Sequence, residues 1–401
     1  MDFRPEPAEA AFRAEVTEFL ARSLPQHLRM QADGAQLSTR QQTLSWQRTL
    51  FERGWAAPHW PMQHGGTGWT PAQRLIFDVE TALAGAPATN HQGMSMLGPI
   101  VNMFGTAEQR ERLIPPLLRG DTYWCQGFSE PAAGSDLASL QTSGRREGDR
   151  FIVNGQKVWT SHAGHADWIF LLVRTEKTQK KQAGISFLVS PIDVPGIAVR
   201  QIRSIDGLEH LTEVFLQDVE IHRDNLIGEP GEGWAIAKRL LGRERISGAC
   251  DLPGMLRELQ RLKSLLVHPP INGRAPIDEP IAACRLARLD MEAKVMTMNY
   301  LRASLADRFE NLNDAGVVSM LKVQVTELHR RIVEFMYDAL GPRGPLFYPR
   351  PMEPAVMPRI EGFHADLGKV SSELMYRRAG SIYGGTNEIQ RELIARSVLA
   401  G

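Results

Sequence analysis

The sequence predicts an α+β protein of three domains, with a helical domain first, a β-domain in the middle and a helical bundle last. Three observations support this order: helical spacing of apolar residues at the start, short strand-like runs in the middle, and long amphipathic patterns at the end. A chain of 401 residues is long enough for three such units. The predicted domains are residues 1–122, 123–231 and 232–401.

The first domain is predicted from its apolar periodicity. Phe12, Val16 and Leu20 recur at helical spacing, and Pro25 ends the run. Thr106 precedes another helical pattern and is expected to be its N-cap. The domain is therefore expected to be an all-α domain, mostly helix, with a glycine- and proline-rich loop at 57–71 between helices.

The middle domain is predicted from short β-like runs separated by turn residues. Asn154-Gly155 lies between apolar β-formers, which predicts a tight hairpin there. The segments DWIFLLVRTE and AGISFLVSP flank a lysine-rich loop at 176–182 and are expected to pair, and two further runs follow. Five or more short strands at such intervals indicate a β-barrel or sandwich.

The last domain begins near Gly231, where helical periodicity returns. Long amphipathic patterns of this kind are typical of a helical bundle. Two proline-rich segments, 268–280 and 341–362, interrupt the bundle and are too long to be simple connectors.

The composition is that of an ordinary soluble protein, with 43% hydrophobic and 23% charged residues and no formal net charge. This balance gives no indication of a nucleic-acid or membrane-surface partner. The first residues mix acidic and basic side chains without an apolar run, so we expect no signal peptide, and the longest apolar runs are strand-length. Cys125, Cys250 and Cys284 lack metal-ligand spacing, so we expect reduced thiols, no metal and a cytoplasmic location.

Two stretches of the β-domain carry candidate binding chemistry. The run QGFSEPAAGSDL, residues 126–137, combines hydroxyls, small residues and a carboxylate, which suits either a backbone nest for a polar ligand or a plain turn. Trp159, Thr160 and Ser161 follow at a strand end. They could form one wall of a site for an aromatic cofactor, or Trp159 could be a core residue.

Two stretches of the last domain carry the remaining candidates. Glu244 lies near the edge of an apolar helical stripe, where a carboxylate can have a raised pKa and act as a base, or can pair at the surface with an arginine. In SIYGGTNEIQ, Thr386 or Asn387 is expected to cap a helix, with Glu388 in its first turn. Backbone N–H groups at such a start can bind an anion or a carbonyl oxygen, or simply begin a terminal helix.

Taken together and in this order, these stretches resemble the acyl-CoA dehydrogenase family. QGFSEPAAGSDLASLQT is similar to the family's Ser/Thr-Glu-Pro-x-Ala-Gly-Ser-Asp signature, and NGQKVWTS to its tryptophan-hydroxyl strand. IYGGTNEIQRELIAR is similar to its C-terminal turn and helix. The resemblance covers essentially the whole chain.

The resemblance implies a helical N-terminal domain, a middle β-barrel and a C-terminal four-helix bundle, with FAD between the last two. Members of the family oxidise acyl-CoA thioesters to trans-2-enoyl-CoA. A carboxylate removes the α-proton while a hydride leaves Cβ for flavin N5, and electrons pass on to electron-transfer flavoprotein. The chemistry requires a polarised thioester carbonyl and a base in a dry pocket.

The resemblance also assigns residues. It implies that Ser135 and Arg245 contact the substrate and that the backbone N–H of Gly384 polarises the thioester carbonyl. The implied cofactor contacts are Gln126, Phe128, Ser129, Gly134, Ser135, Trp159, Thr160, Ser161, Gly385, Thr386 and Glu388.

The sequence departs from the commonest family pattern at two places. Most members carry the catalytic glutamate where this chain has Gly384, whereas a minority carry it on the first long helix of the last domain, which corresponds to Glu244. We therefore expect Glu244 to be the base. The usual Arg-x-x-Phe-Gly element is also absent, as in large subunits of heteromeric members of the pimeloyl-CoA and steroid side-chain types. This predicts a tetramer, built as a dimer of dimers, with a second dehydrogenase-like chain as a possible component.

Two other functions remain open at this point. The chain could be a flavin oxidase or monooxygenase on the same fold, although Ser135 and the Glu244-Arg245 pair argue against it. It could also be a partner subunit with little activity alone, although the retained flavin-wall residues argue against that. The sequence does not identify the acyl group.

Overall fold

The computed structural model describes residues 6–32, 38–244, 251–267, 274–305, 315–341, 344 and 370–399. Arg245 lies outside these residues, and so do residues 268–273 of the first proline-rich segment and most of the second. Glu244 is described through its backbone alone.

The N-terminal domain is helical, as predicted. Thr39, Thr70 and Thr106 each begin a helix by accepting a hydrogen bond from the backbone N–H three residues on, and a glutamine there returns a bond. The N-cap prediction for Thr106 is thus confirmed. The helices are α1 (Pro7–Ser23), α2 (Gln26–Ala32), α3 (Arg40–Glu52), α4 (Pro71–Leu83), α5 (Gly98–Phe104) and α6 (Ala107–Arg119), with a π-helical turn at Gln92–Leu97 before α5.

The middle domain is an eight-stranded mixed sheet. Its strands are β1 (Trp124–Gly127), β2 (Ser143–Glu147), β3 (Arg150–Ser161), β4 (Trp168–Arg174), β5 (Ile185–Pro191), β6 (Ile197–Ile202), β7 (Leu211–His222) and β8 (Leu226–Ile227). The order is β6-β7-β3-β2-β4-β5-β8, and β1 adds to β4 in parallel. Among the described strands the two ends of this order do not pair, so the domain is an open sheet rather than the closed barrel we expected.

Strand β4 explains the continuous apolar run of this domain. Phe170 and Leu172 face a core shared with the N-terminal helices, whereas Ile169 and Leu171 face a second core within the β-domain. Both faces of the strand are therefore buried, which removes the usual polar alternation. The predicted pairing of β4 with β5 is confirmed.

The predicted hairpin at Asn154-Gly155 is wrong. Strand β3 runs straight through both residues, and the turn between β2 and β3 lies instead at Gly148-Asp149. The side chain of Asn154 exchanges two hydrogen bonds of 2.9 Å with Asp218, and a register shift in the pairing with β7 follows. Gly155 is needed because a Cβ there would lie 2.4 Å from the Thr142 hydroxyl.

The C-terminal domain is a helical bundle, as predicted. Its helices are α7 (Gly233–Glu244), α8 (Leu252–Val267), α9 (Pro280–Leu305), α10 (Ala315–Ala339), α11 (Val370–Arg377) and α12 (Asn387–Leu399). The central helix α10 packs against α8, α9, α11 and α12. No described helix combines the length and apolar character needed to cross a membrane.

Helix α7 connects the three domains. Its buried face, which includes Ile236, Ala237 and Leu240, packs against β5 and against the π-helical turn of the N-terminal domain. This packing fixes where the C-terminal end of α7 and residue 244 lie relative to the other two domains.

Candidate active site at the domain junction

A series of aromatic rings connects the end of β3 to the C-terminal turn. The ring centroids of His162 and His210 are 6.1 Å apart, those of His210 and Tyr376 are 5.7 Å apart, and those of Tyr376 and Tyr383 are 6.4 Å apart. His162 directly follows β3, and Tyr383 directly precedes Gly384. A chain of ring contacts therefore links the residue after the predicted cofactor wall to the residue before the predicted turn, and this region is called here the junction.

Hydrogen bonds fasten the loop between β6 and β7 into the junction. The backbone N–H of His162 donates to the carbonyl of His210 over 2.7 Å, and the hydroxyl of Ser372 on α11 donates to the carbonyl of Asp206 over 2.9 Å. Burial lowers the pKa of the His162 ring to about 4, with smaller contributions from His210 and His165. His162 is therefore neutral at neutral pH.

The ring of Trp159 is exposed and not buried. Lys157 pairs with Val214 and Thr160 with Thr212, so three steps along β3 oppose two along β7 and the strand bulges. Within the bulge Trp159 has a φ of 60° and a side chain that is 59% exposed. The interpretation of Trp159 as a core residue is therefore wrong. Thr160 is buried and Ser161 is partly buried.

The signature segment 126–137 forms a compact loop beside this strand end. Glu130 and Ala133 exchange backbone hydrogen bonds of 3.0 Å, which closes a tight turn. Ser129 is partly buried, whereas Gly134 and Ser135 are exposed at the tip. Gln126 is partly buried at the centre of β1.

Phe128 differs from the other predicted cofactor contacts. Its side chain is 4% exposed and packs edge-on against Phe170 and Phe187 in the core. Its ring is therefore part of the core and does not face a ligand site, unlike the predicted side-chain contact.

A buried ion pair beneath the signature loop was missed in the sequence. The side chain of Lys157 has no exposed surface, and its Nζ lies 2.8 Å from Oε1 of Glu130. Burial lowers the pKa of Lys157 to about 8, although Glu130 opposes the shift. Burial alone would raise the pKa of Glu130, but Lys157 and hydrogen bonds hold it below its usual range. The sequence signal was the alternating pattern of β3, which puts Lys157 on an inward face.

The C-terminal turn is built by two glycines in the left-handed region. Gly384 has a φ of 62° and Gly385 a φ of 82°, a conformation that favours glycine. The side-chain amide of Gln390 donates to the carbonyls of Gly384 and Gly385 over 3.0 and 3.3 Å. Within the described part of the chain, no acceptor lies on the backbone N–H groups of these two glycines.

The start of α12 agrees with the sequence prediction. The hydroxyl of Thr386 accepts a hydrogen bond of 3.3 Å from the N–H of Ile389, so Thr386 is the N-cap. Glu388 is exposed in the first turn, and hydrogen bonds from its own backbone and from Thr386 lower its pKa. Lys322 on α10 is buried and donates to the carbonyl of Gly380 and to Oδ1 of Asn387 over 3.0 and 2.8 Å.

A polar cluster lies beside the glycine turn. Arg377 contacts Glu373 at 2.5 Å and Asp251 at 3.4 Å, and burial raises the pKa of the neighbouring Tyr383 hydroxyl. Burial also lowers the pKa of His91, in the N-terminal domain, to about 4, an effect that Asp251 opposes. Asp251 of the last domain therefore lies close enough to influence the charge of His91 in the N-terminal domain.

Three family models match this chain in order. They describe the acyl-CoA dehydrogenase N-terminal domain at residues 6–121, the middle domain at 125–219 and the C-terminal domain at 231–399. The chain belongs to the acyl-CoA dehydrogenase family. The resemblance identified from the sequence is thereby confirmed, and the protein is an enzyme of a flavoprotein oxidoreductase family.

Several curated proteins and solved structures are similar to this acyl-CoA dehydrogenase. It is 35% identical over 396 residues to acyl-CoA dehydrogenase IpdE1 of Mycobacterium tuberculosis, covering 97% of this chain and 96% of that one. It is similar in structure to the Tcur3481-Tcur3483 steroid ACAD, with a TM-score of 0.84, 26% identity and coverage of 100% and 99%. The ChsE4-ChsE5 complex of Mycobacterium tuberculosis gives a TM-score of 0.82, 27% identity and the same coverage.

The junction of this acyl-CoA dehydrogenase fits a flavin. The exposed indole of Trp159 offers a flat surface to a planar ring system. The buried hydroxyl of Thr160 has no hydrogen-bond partner among the described residues. Among the same residues, no acceptor lies on the N–H groups of Gly384 and Gly385, so both are open donors. Aromatic stacking and directed hydrogen bonds are what a bound ring cofactor requires.

Proposed function

We propose that this acyl-CoA dehydrogenase binds FAD at the junction and oxidises an acyl-CoA thioester to the trans-2-enoyl-CoA. The observation that carries the proposal is the convergence of an exposed Trp159 and an open glycine turn across the ring series from His162 to Tyr383. FAD supplies the hydride acceptor for the substrate Cβ when it is bound. The chain's own residues supply positioning, carbonyl polarisation and the base.

Glu244 is the proposed base. Glu244 is the last residue of α7, the helix that packs against β5 and against the π-helical turn. Gly384, where most family members have their glutamate, has no side chain to take a proton. One carboxylate near the substrate α-carbon is sufficient for proton removal. Glu244 and Arg245 are the proposed residues on the substrate side of the site.

The proposed oxyanion donor is the backbone N–H of Gly384. It has no acceptor within the described chain, and a φ of 62° suits glycine at this position. A donor that is already oriented stabilises the negative charge that develops on the thioester oxygen without further reorganisation. The backbone N–H can therefore act as a donor although Gly384 has no side chain.

The proposed entrance for the CoA portion passes the tip of the signature loop. Ser135 is exposed there, at the position that the family uses for the pantetheine arm. One complex that is similar in structure to this chain is named a steroid ACAD, so a steroid-derived acyl group is our first candidate substrate class.

A second dehydrogenase-like chain is the proposed partner, within a tetramer that passes electrons to electron-transfer flavoprotein in the cytoplasm. One face of α9 supports this, because Ile281, Met291 and Val295 are 85, 58 and 53% exposed. Exposed apolar residues along one helix face are typical of a subunit contact.

Flavin absorption tests the proposal. The purified enzyme is expected to show a flavin visible band that bleaches when a suitable acyl-CoA is added without oxygen. Glu244→Gln should slow the bleaching by at least about a hundredfold, since general base catalysis is worth roughly 10²–10⁴-fold. The matched control is Glu392→Gln, an exposed glutamate that pairs with Arg396 on α12.

The outcomes separate the alternatives. Bleaching that survives Glu244→Gln removes Glu244 as the base. A bound flavin that no acyl-CoA bleaches favours an oxidase or a silent partner subunit. A chain that acquires its flavin only when a second chain is co-expressed establishes the heteromeric form.

A further inference from the structure

We propose that the buried Lys157–Glu130 pair is a positioning pair that holds the wall of the flavin site, by clamping the signature loop onto β3 and fixing the bulge that turns Trp159 outward. The proposal rests on the proposed FAD site. It assigns a role at the junction to two buried residues that are not among the predicted cofactor contacts.

The ammonium group of Lys157 joins three separate segments. It donates to the carbonyl of Phe128 over 3.2 Å, to Oε1 of Glu130 over 2.8 Å and to the carbonyl of Leu172 on β4 over 2.7 Å. An ammonium has three protons, so all of its donors are used. One side chain therefore fastens the start of the loop, its turn and the neighbouring strand.

The carboxylate of Glu130 closes the far end of the same loop. Its oxygens accept from the backbone N–H of Gln141 over 2.6 Å and of Thr142 over 2.9 Å. The carbonyl of Ser129 also accepts from the N–H of Val158 on β3 over 2.9 Å. The loop is thus clamped at both ends, while its tip at Gly134 and Ser135 stays exposed.

The same lysine limits how β3 can continue. In a regular strand residues 157 and 159 share a face, so a buried Lys157 would require a buried Trp159. The bulge between Lys157 and Thr160 breaks this alternation. On its far side, the hydroxyl of Thr212 donates to the carbonyl of Thr160 over 2.9 Å. Lys157 and this bond therefore hold the two ends of the bulge, and Trp159 is left in its strained, outward conformation.

A contribution to stability alone would not explain such a pair. Replacing both members of a buried ion pair with uncharged residues of similar size is often neutral for stability, because burying the charges costs about as much as their attraction returns. The pair also restricts geometry: two carbonyl oxygens and one carboxylate oxygen must lie around one nitrogen, which limits the conformations open to the loop.

The test uses full-length Lys157→Met, Glu130→Gln and the double variant, with Arg150→Met as the matched control. Arg150 lies on the same strand and forms an exposed ion pair with Glu220 on β7. Four quantities are measured on each protein: the thermal unfolding midpoint, the dissociation constant for FAD, the visible absorption spectrum of bound flavin, and its reduction potential.

We expect the double variant to fold, to bind FAD at least about tenfold more weakly and to show a shifted visible band and potential, whereas Arg150→Met stays within about twofold of the unmodified enzyme. Amide exchange on the flavin-free proteins should rise in residues 128–142 and 157–161 of the Lys157 and Glu130 variants. This second readout applies even where a variant holds no flavin.

The proposal is overturned if the double variant folds and its FAD affinity, spectrum, potential and loop exchange match those of the control. It is also overturned if the thermal unfolding midpoint falls in every variant while FAD affinity, spectrum and reduction potential stay unchanged. Failure of the unmodified enzyme to bind FAD would instead remove the proposed function, and the two results are distinguishable because the unmodified enzyme is measured first.

Discussion

Two buried lysines hold the two sides of the junction, and they do so in different ways. Lys157 supports a wall that presents side chains, namely the exposed ring of Trp159 and the hydroxyls beside it. Lys322 supports a turn that presents backbone N–H groups, through its bonds to Gly380 and Asn387. The difference teaches that one side of the site depends on which residues are present and the other on the conformation of the chain.

The largest effect is expected from removing the carboxylate that faces Lys157. Glu130→Leu leaves a buried ammonium without its ion-pair partner, which is expected to lower the free energy of unfolding by about 3–5 kcal/mol. Urea unfolding measures this. Glu220→Leu breaks the exposed pair with Arg150 and should cost less than about 1 kcal/mol. Equal losses in the two variants would show that the buried pair contributes no more to the free energy of unfolding than the exposed pair.

A smaller effect is expected on the backbone side. Gly385→Ala forces alanine to a φ of 82° and puts its Cβ 2.4 Å from the amide nitrogen of Gln390, so it should cost about 2–3 kcal/mol. Gly54→Ala is the control, since its φ of 79° is similar but nothing lies within 4 Å of its Cβ. A cost equal to that of Gly54→Ala would mean that Gln390 moves aside freely.

The dependence on pH tests the charge of Lys157. Its pKa is lowered to about 8 in the fold from an ordinary value of 10.5, and Glu130 is the charged group that faces it. Between these two values the unfolded chain binds more protons than the folded one, so this lysine makes the free energy of unfolding rise with pH, by up to about 1.4 kcal/mol per unit. Urea unfolding of the unmodified enzyme and of Lys157→Met at pH 7.5–10 should show a difference that grows with pH. Parallel pH curves would contradict the buried charge.

The smallest effect on stability is expected at Trp159, although its effect on the cofactor should be clear. Its ring is 59% exposed, so Trp159→Leu should change the free energy of unfolding by about 0.5 kcal/mol or less. The visible spectrum of bound flavin should shift, because the flat surface is lost. A large loss of stability with an unchanged flavin spectrum would show that Trp159 acts as a core residue.

Much of the fold could be predicted because local signals agreed with the final packing. Thr106 and Thr386 cap the helices that their positions indicated, and β4 pairs with β5 as their apolar runs suggested. The hairpin at Asn154-Gly155 failed because a local turn signal was outweighed by pairing with β7 along the whole strand.

The candidate site was predictable in its residues but not in its supports. Motif positions led to Trp159 and Gly384. For Lys157 the alternation along β3 was the sequence signal, and it competes with the rule that lysines are exposed. The outward turn of Trp159 depends on a bulge, and a bulge depends on the register with a strand about fifty residues away in the chain.

The distances along the chain between bonded residues carry a consequence for the order of assembly. Lys157 and Glu130 are 27 residues apart, whereas Lys322 and Asn387 are 65 residues apart. Closing the shorter loop costs less conformational entropy, and contacts that are near in sequence form faster. The contact between Lys157 and the signature loop can therefore form early in folding, whereas the bulge that turns Trp159 outward waits for the pairing with β7. The glycine turn is fastened only when α12 docks on α10. A site with both sides in place is therefore a late product of folding.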